Sequence, residues 1–173
     1  RPQMVREGWL NLNGLWDYSV RPVLAGGSGY DGKILVPFAS ESALSGVGKV
    51  VDKDNVLVYR RMVTLPRNFR NKRTLLHFGA VDWKTDVSVN GVSVGSHTGG
   101  YDPFTFDITQ ALKRSGANEI TVTVWDPTDD GPQPRGKQVK DPKGIWYTPV
   151  TGIWQTVWLE AVPDTYVRSL QIT

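Results

Sequence analysis

The sequence lacks cysteine and is poor in histidine, with two His among 173 residues. The absence of cysteine excludes disulfides, thiolate metal sites and cysteine nucleophiles. It leaves the cellular compartment open, because many bacterial secreted proteins also lack cysteine; a periplasmic or secreted location is favoured over a cytoplasmic one. The chain also has no apolar run near the roughly 20 residues that span a bilayer, so we predict a soluble domain without a membrane partner.

The sequence also lacks a large excess of either positive or negative charge. Lys and Arg number 20 against 17 Asp and Glu, which gives a net charge of +3. The basic residues are scattered apart from short groups, whereas nucleic-acid-binding proteins usually carry a dense basic stripe or a recognisable motif. We therefore predict no nucleic-acid partner. The beginning of the sequence shows no signal-peptide pattern, which indicates either a removed leader or an excised fragment.

Motifs that carry catalysis are also missing. No Gly-x-Ser-x-Gly elbow is present, and the glycine-rich segment 95–100 precedes a predicted strand rather than the helix of a phosphate-binding loop. The sequence nominates no pair of carboxylates for glycoside hydrolysis. Asp129 and Asp130 lack the spacing of a known Ca²⁺ loop, and we interpret His77, in a strand, and His97, in a loop, as structural. We predict no catalytic residue, no metal site and no cofactor.

Short segments of alternating hydrophobicity make up most of the chain. Turns separate them, since 18 Gly and 11 Pro are spread along the sequence rather than clustered. Asn90-Gly91 lies between two alternating valine runs and is the clearest hairpin signal. We predict about nine to eleven strands, typical of a sandwich. The predicted strands include the segments 9–20, which alternates only loosely, 33–38, 56–65, 74–81, the two arms of the hairpin in 85–95, 104–108, 119–125 and 152–162.

This pattern predicts an all-β fold, an antiparallel two-sheet sandwich of the jelly-roll kind with at most one short helix. Asp107 or Thr109 is the predicted cap of that helix, which continues through Arg114 and ends at Gly116. The sandwich is expected to occupy residues 1–165. Residues after 165 form either its last strand or the start of a further domain.

Polar and aromatic side chains concentrate in and beside the long loop 126–143. Sugars are bound by aromatic rings that contact their C–H faces and by polar side chains that pair with their hydroxyl groups. The alternative is that the aromatic residues of this loop only pack against an edge of the sandwich. The candidate substrate-binding residues are Arg135, Lys137, Gln138, Asp141, Trp146 and Tyr147.

Several segments, in order along the chain, form a recognisable set. They are NGLWD at 13–17, VPF at 36–38, ES at 41–42, YRR at 59–61, FGAVD at 78–82, VNG at 89–91, HTGGYDPF at 97–104, FDIT at 106–109 and TGIWQTVWLE at 151–160. Together they resemble the N-terminal sugar-binding domain of glycoside hydrolase family 2, the group of β-galactosidases, β-glucuronidases and β-mannosidases. The resemblance extends from about Trp9 to Thr173.

The resemblance implies a jelly-roll domain followed by an immunoglobulin-like domain and a (β/α)₈ barrel. In such enzymes two Glu of the barrel are the acid/base and the nucleophile of a retaining exo-glycosidase, so this chain alone is expected to be inactive. The family's first domain typically contributes side chains from the loop before the Thr-Gly-Ile segment to the mouth of the barrel. The expected partners are therefore a carbohydrate substrate and the immunoglobulin-like and barrel domains.

One position departs from the family pattern. The resemblance implies a sugar-contacting Asp six residues before Gly152, where this chain has Trp146. Either Asp141 replaces it or the sugar preference has changed, so the glycone stays open. Two other classes of function also stay open: a free-standing carbohydrate-binding module or lectin, and a structural domain that supports oligomer contacts.

Overall fold

The computed structural model describes residues 4–24, 27–113 and 115–171. Three short 3₁₀ turns, Ala43–Ser45, Arg67–Phe69 and Thr109–Ala111, are the only helical segments in these ranges, and none is long and apolar enough to cross a membrane. The predicted all-β class is confirmed. The strands are β1 (Gly8–Asn11), β2 (Gly14–Pro22), β3 (Gly32–Val36), β4 (Asn55–Val63), β5 (Arg73–Phe78), β6 (Val81–Asp82), β7 (Lys84–Val89), β8 (Val92–Thr98), β9 (Phe104–Asp107), β10 (Asn118–Trp125), β11 (Gly152–Ile153) and β12 (Val157–Val162).

Two antiparallel sheets form the sandwich. The larger sheet has the strand order β3-β2-β4-β10-β7-β8, and the smaller one has the order β1-β12-β5-β9. A short third sheet pairs β11 with β6 at one end of the sandwich. The predicted two-sheet sandwich is confirmed.

The hydrophobic core lies between the two sheets, as the alternation of β4 and β10 predicts. Leu57 and Tyr59 of β4 are fully buried, as are Ile120, Val122 and Val124 of β10. Burying one such side chain stabilises the fold by roughly 1.5–3 kcal/mol. The neighbouring strand β2 adds Trp16, whose Nε1 donates to Leu12 O at 2.8 Å and whose ring meets that of Tyr59 edge-on.

The predicted hairpin at Asn90-Gly91 is confirmed. Asn90 has φ 52° and Gly91 has φ 79°, the left-handed pair that a type I′ turn requires. The Asn90 side chain also has a role that the turn signal does not predict. Its Nδ2 donates to Ala111 O and to Asn118 Oδ1, both at 2.8 Å, and its Oδ1 accepts from Glu119 N at 3.0 Å. Asn90 therefore ties the turn to β10.

The opening segment 9–20 is two strands, not the single strand that its alternation predicts. β1 pairs with β12 in the smaller sheet, whereas β2 pairs with β3 and β4 in the larger one. The chain crosses between the sheets where Gly14 has φ 119°, a conformation that favours glycine. The final segment 152–162 is likewise divided, into β11 and β12.

The predicted helix is much shorter than expected. Only Thr109–Ala111 is helical, because Leu112 has returned to an extended conformation with φ −80° and ψ 141°. Asp107 Oδ1 does accept a hydrogen bond from Thr109 N, at 3.0 Å. Arg114, the predicted last helical residue, lies outside the described residues.

The two histidines lie in strands. His77 is in β5 as predicted; it stacks on Trp158 with 4.8 Å between ring centroids, and its Nδ1 lies 2.8 Å from Thr105 Oγ1. Partial burial lowers the pKa of the His77 imidazole. His97 is in β8 and not in a loop, and it stacks on Phe104 at 4.2 Å. Both positions are compatible with structural roles.

Residues 166–171 form no strand, contrary to their alternating pattern, and residues 172–173 lie outside the described ranges. Arg6 holds the beginning of this segment against the smaller sheet. Its Nη2 donates to Val167 O at 2.7 Å, and its Nε donates to Glu160 Oε2 at 2.8 Å. The guanidinium also lies 5.5 Å from the centroid of the Tyr166 ring. That this segment opens a further domain stays a prediction.

Candidate functional site

Thr151 joins distant parts of the chain at one end of the sandwich, where the loop 126–151 returns to β11. Its backbone N–H donates to Glu41 Oε2 at 2.9 Å, and its hydroxyl donates to Asp126 Oδ2 at 2.8 Å. The next residue, Gly152, pairs with Asp82 of β6. Three carboxyl groups from separate segments are thereby brought to the same end. We call Glu41, Asp82 and Asp126 the carboxyl cluster.

Burial is the main influence on the acidity of the carboxyl cluster. It raises the pKa of Asp82 to about 7, and the charges of Asp126 and Glu41 add to this increase, while a hydrogen bond from Gln138 opposes it. Burial also raises the pKa of Glu41 and that of Asp126, against the opposing effect of their bonds from Thr151. Near neutral pH, the cluster thus contains at least one carboxyl group that titrates.

The Asp82 carboxyl lies directly beneath the backbone of Gly100. A Cβ atom at position 100 would lie 2.5 Å from Asp82 Oδ1, which is too close for any side chain. The carbonyl of Gly100 accepts from Trp154 Nε1 at 2.8 Å, and the Trp154 ring meets Tyr101 edge-on. The loop between β8 and β9 is therefore fixed over the cluster, with the half-exposed Tyr101 at its surface.

Gln138 connects the carboxyl cluster with the loop 126–151. Its Nε2 donates to Asp82 Oδ2 at 3.1 Å and lies 3.5 Å from the Tyr101 hydroxyl. Its Oε1 accepts from Val150 N at 2.6 Å. Gln138 is 8% exposed. This candidate substrate-binding residue therefore lies under the surface and supports the site through its hydrogen bonds to Asp82 and Val150.

Five of the six candidate substrate-binding residues lie close together because the loop folds back on itself. Tyr147 N donates to Lys137 O at 2.8 Å, and Val139 N donates to Tyr147 O at 3.1 Å. Lys137 Nζ lies 5.9 Å from the centroid of the Tyr147 ring. The five residues are Arg135, Lys137, Gln138, Trp146 and Tyr147. The exposed rings of Tyr101, Trp146 and Tyr147, which we call the aromatic rim, lie on the segments around Gln138.

Asp141 is separate from this group. Its carboxylate pairs with Lys143 Nζ at 3.0 Å, and both side chains are 82% exposed. It makes no described hydrogen bond to the carboxyl cluster or to Gln138. Trp146, by contrast, directly precedes Tyr147, whose backbone pairs with Lys137.

The carboxyl cluster and Tyr101 were not predicted as site residues. A signal was available, because Glu41, Asp82, Tyr101 and Thr151 all belong to the segments that carry the family resemblance. Asp82 also ends a buried apolar run, where a carboxyl group is unusual. Asp126 gave no such signal, since it begins a loop that is rich in charged residues.

Two grooves lie away from this end of the sandwich. One, of about 660 Å³, runs along the smaller sheet beside His77 and Trp158. The other, of about 750 Å³, lies around Phe69 and Asn118. Neither is lined by the carboxyl cluster or the aromatic rim, and within the described ranges no three His, Asp or Glu side chains are arranged to hold a metal ion.

Replacing Gln138 with leucine is expected to destabilise the chain by about 2 kcal/mol, because Val150 N would lose its partner and Asp82 its donor. The pKa of Asp82 should rise further, since the lost hydrogen bond favours the charged form. Urea unfolding measures the first effect, and faster hydrogen exchange at Val150 locates it. The same change at the exposed Gln155 is the control. Equal stability of the two variants would contradict the supporting role of Gln138.

Comparisons with known proteins agree with the sequence resemblance. The model of the family described as glycosyl hydrolases family 2, sugar binding domain, matches residues 39–163. A β-galactosidase of Thermoanaerobacter pseudethanolicus is 28% identical over 137 residues, which are 79% of this chain and 18% of that protein. A β-glucuronidase of Formosa agariphila is 29% identical over 109 residues, which are 63% of this chain and 11% of that protein.

A similar fold is found in the crystal structure of a β-glucuronidase of Bacteroides uniformis. The TM-score is 0.66 at 26% sequence identity, and the match covers 90% of this chain and 18% of that one. The chain therefore spans less than a fifth of the length of each of these three proteins.

Proposed function

Since the chain belongs to the sugar-binding domain of glycosyl hydrolase family 2, we propose that it is the non-catalytic domain of a larger exo-glycosidase and that its loop 126–151 forms one wall of the substrate pocket. The observation that carries this proposal is the backbone pairing of Lys137 with Tyr147, next to Gln138, whose side chain contacts both Tyr101 and Asp82 of the carboxyl cluster. Aromatic rings and polar groups that converge at one place are what a saccharide site requires.

The chemistry of hydrolysis is assigned to another domain of the parent protein. Glycoside hydrolysis needs two carboxyl groups on opposite sides of the scissile bond. The carboxyl cluster does not have this arrangement, because Asp82 is buried under Gly100 and Asp126 is buried and bonded to Thr151. We assign the acid/base and the nucleophile to a barrel domain, with an immunoglobulin-like domain between the two, as the family resemblance implies.

The aromatic rim would contact the C–H face of a sugar, while Gln138 holds the loop in position. Trp146 stands where the family resemblance implies a sugar-contacting Asp, so a ring contact here would replace a hydrogen bond to a hydroxyl group. The identity of the glycone stays open, because relatives are named both as β-galactosidases and as β-glucuronidases.

Replacing Trp146 with alanine in the full-length parent enzyme is expected to lower kcat/KM about tenfold for the aryl β-glycosides that it hydrolyses. The reason is the loss of an aromatic contact with the sugar, worth on the order of 1 kcal/mol. Steady-state kinetics with a panel of aryl β-glycosides measures the effect. The control is Trp9→Ala on the smaller sheet, because Trp9 is 42% exposed and Trp146 is 44% exposed.

Unchanged kinetics of the Trp146 variant with every substrate that is turned over would show that the loop is not part of the pocket. Calorimetric titration of the 173-residue chain with oligosaccharides separates this proposal from a free-standing module. A domain that supplies only one wall should bind at millimolar concentration or not at all, whereas clear micromolar binding would favour the module.

A further inference from the structure

The groove around Phe69 and Asn118 lies at the end of the sandwich opposite to the carboxyl cluster. Its walls are formed where β5 and β10 begin, whereas Asp82 and Asp126 follow the ends of these two strands. Because β10 has eight residues and a strand rises about 3.3 Å per residue, the two places are on the order of 20 Å apart. The groove is therefore separate from the proposed substrate pocket.

Positive charge is concentrated in this groove, which we call the basic groove. Arg70 and Lys72 are exposed on one wall, and Lys113 is exposed on the other. None of these three cations forms an ion pair within the residues that the structure describes. No Asp or Glu lines the groove, and the acids nearest to it along the chain, Asp107 and Glu119, pair with other cations. An acidic ligand would therefore find three unpaired cations on two facing walls.

Hydrogen bonds hold both walls of the basic groove in place. Thr74 N donates to Thr109 Oγ1 at 2.9 Å, and this bond joins the two walls. On the second wall, Lys113 N donates to Asn118 Oδ1 at 2.8 Å, which fixes the backbone that carries the third cation. A surface that is already ordered loses little conformational entropy when it binds a ligand. The groove is thus formed before any partner arrives.

The floor of the basic groove is apolar but offers no aromatic ring. Phe69, the only aromatic residue among its lining, is 3% exposed, and the two leucines of the lining, Leu65 and Leu112, are partly buried. A sugar ring or a nucleobase is usually bound by an open aromatic face. A polypeptide can instead place carboxylates against the walls and an apolar side chain against the floor. The lining therefore favours a peptide over a saccharide or a nucleic acid.

We propose that the basic groove is a docking surface for an acidic segment of a partner protein. Carboxylates of the segment pair with Arg70, Lys72 and Lys113, and an apolar side chain between them packs on the leucines of the floor. Charge complementarity of this kind accelerates the encounter and selects acidic partners over basic ones. The inference goes beyond the proposed function, because it concerns a separate surface and requires no contact with a saccharide.

The probe for this surface is a rhodamine-labelled peptide of glutamates with two leucines near its centre. Its binding to the 173-residue chain is measured by fluorescence anisotropy at low salt. The triple variant Arg70→Gln, Lys72→Gln, Lys113→Gln is expected to bind the peptide about tenfold more weakly, because three charge pairs are lost. Raising the salt concentration should weaken binding to the unmodified chain as well, since added ions screen exposed charges.

A second triple variant is the matched control. Lys49→Gln, Lys84→Gln and Arg168→Gln remove the same three charges from exposed positions that do not line the groove. This variant should lose less than about twofold in affinity, and both triple variants should unfold at the same urea concentration as the unmodified chain. Equal losses of affinity in the two triple variants would overturn the proposal, because the peptide would then respond only to net charge.

Changes in the probe test the chemistry of the partner. The peptide with glutamine in place of glutamate should not bind, and the peptide with glycine in place of leucine should bind about threefold more weakly, because it leaves the floor uncovered. Undiminished binding of the leucine-free peptide would overturn a peptide partner. So would binding of an oligogalacturonate or an oligodeoxythymidylate of equal charge that is as tight as that of the glutamate peptide.

The full-length parent protein provides the last test. It should bind the glutamate peptide as tightly as the 173-residue chain does. Binding to the chain but not to the parent would overturn the partner protein, since another domain of the parent would then cover the groove. Failure of the peptide experiments leaves the proposed function intact, because the Trp146 variant tests the opposite end of the sandwich with saccharide substrates alone.

Discussion

Replacing Gly152 with alanine is expected to lower the free energy of unfolding by about 4 kcal/mol, the combined effect of overpacking, a lost buried hydrogen bond and an unfavourable backbone conformation. The added Cβ would collide with the Tyr59 hydroxyl and lie 2.9 Å from Leu57 Cδ2, and both residues are fully buried. The Tyr59 hydroxyl accepts from Ile153 N at 3.1 Å, so its displacement would leave that N–H unpaired. Gly152 also has φ 95°.

Thermal and urea unfolding of the 173-residue chain measure this effect. A loss of about 4 kcal/mol corresponds to a decrease in Tm of roughly 10 °C for a domain of this size. The control is Gly46→Ala. Gly46 also has positive φ, but an added Cβ there meets nothing within 4 Å, so only the backbone cost of about 1–2 kcal/mol remains.

A double variant tests the proposed cause. Tyr59→Phe removes the oxygen with which the added Cβ at position 152 would collide, so Gly152→Ala should cost less in the Tyr59→Phe background than in the unmodified chain. Strict additivity of the two substitutions would mean that the contact with Leu57, and not the tyrosine hydroxyl, determines the destabilisation.

Asp82→Asn is expected to stabilise the chain at pH 8 by on the order of 3–4 kcal/mol and to have little effect at pH 4. Burial raises the pKa of Asp82 to about 7 in the folded protein, whereas an unfolded Asp has a pKa of about 3.9. A group whose pKa is raised by folding contributes its full stability below its unfolded pKa, where it is neutral in both states. That contribution is lost progressively as the pH rises from about 3.9 to about 7, because the unfolded chain releases its proton in this range whereas the folded chain must keep the proton or bury a charge.

Asparagine avoids this loss because it is neutral at every pH and can still accept from Gln138 Nε2 through its amide oxygen. The measurement is the difference in unfolding free energy between the variant and the unmodified chain at pH values from 4 to 8. The difference between the two proteins is needed because the unfolding free energy also contains contributions from other titratable groups, some of which change with pH in the opposite direction. Lys33 and Arg60, for example, lower the pKa of Asp17, whose contribution is lost as the pH falls.

The matched control for Asp82 is Asp141→Asn, which makes the same chemical change at an 82% exposed position. It should show no comparable stabilisation at pH 8. If the difference for Asp82→Asn were the same at pH 4 and pH 8, the carboxyl group would not titrate in this range, and the interpretation of the carboxyl cluster would be wrong.

The close packing around Gly152 and the buried charge of Asp82 lie within the same end of the sandwich. Gly152 is the partner of Asp82 between β11 and β6, and its neighbour Thr151 binds the other two carboxyl groups. Substitutions intended to probe sugar binding should therefore be made in the exposed part of the loop. Lys137 and Trp146 are exposed and meet this condition, whereas Gln138 is buried.

The amino-acid sequence by itself determined the all-β class, the central strands β4, β5 and β10 and the hairpin at Asn90-Gly91. Side chains alternate between the two faces of a strand, so the buried face of β4 or β10 can be recognised from neighbouring residues alone. The loop that carries Arg135, Lys137, Gln138, Trp146 and Tyr147 could also be nominated from composition, because polar and aromatic residues concentrate there, but the same stretch contains Asp141 and composition alone does not separate it from the others. The family was also recognisable, because its segments keep their order.

Only the tertiary structure decided where β1 ends and β2 begins, since their alternation is continuous and the two strands differ only in the partners with which they pair. It also brought together Glu41, Asp82 and Asp126, which are far apart in the sequence and meet at Thr151 once the sheets have closed. Their raised pKa values arise from that burial, and no local pattern records how deeply a carboxyl group will be buried.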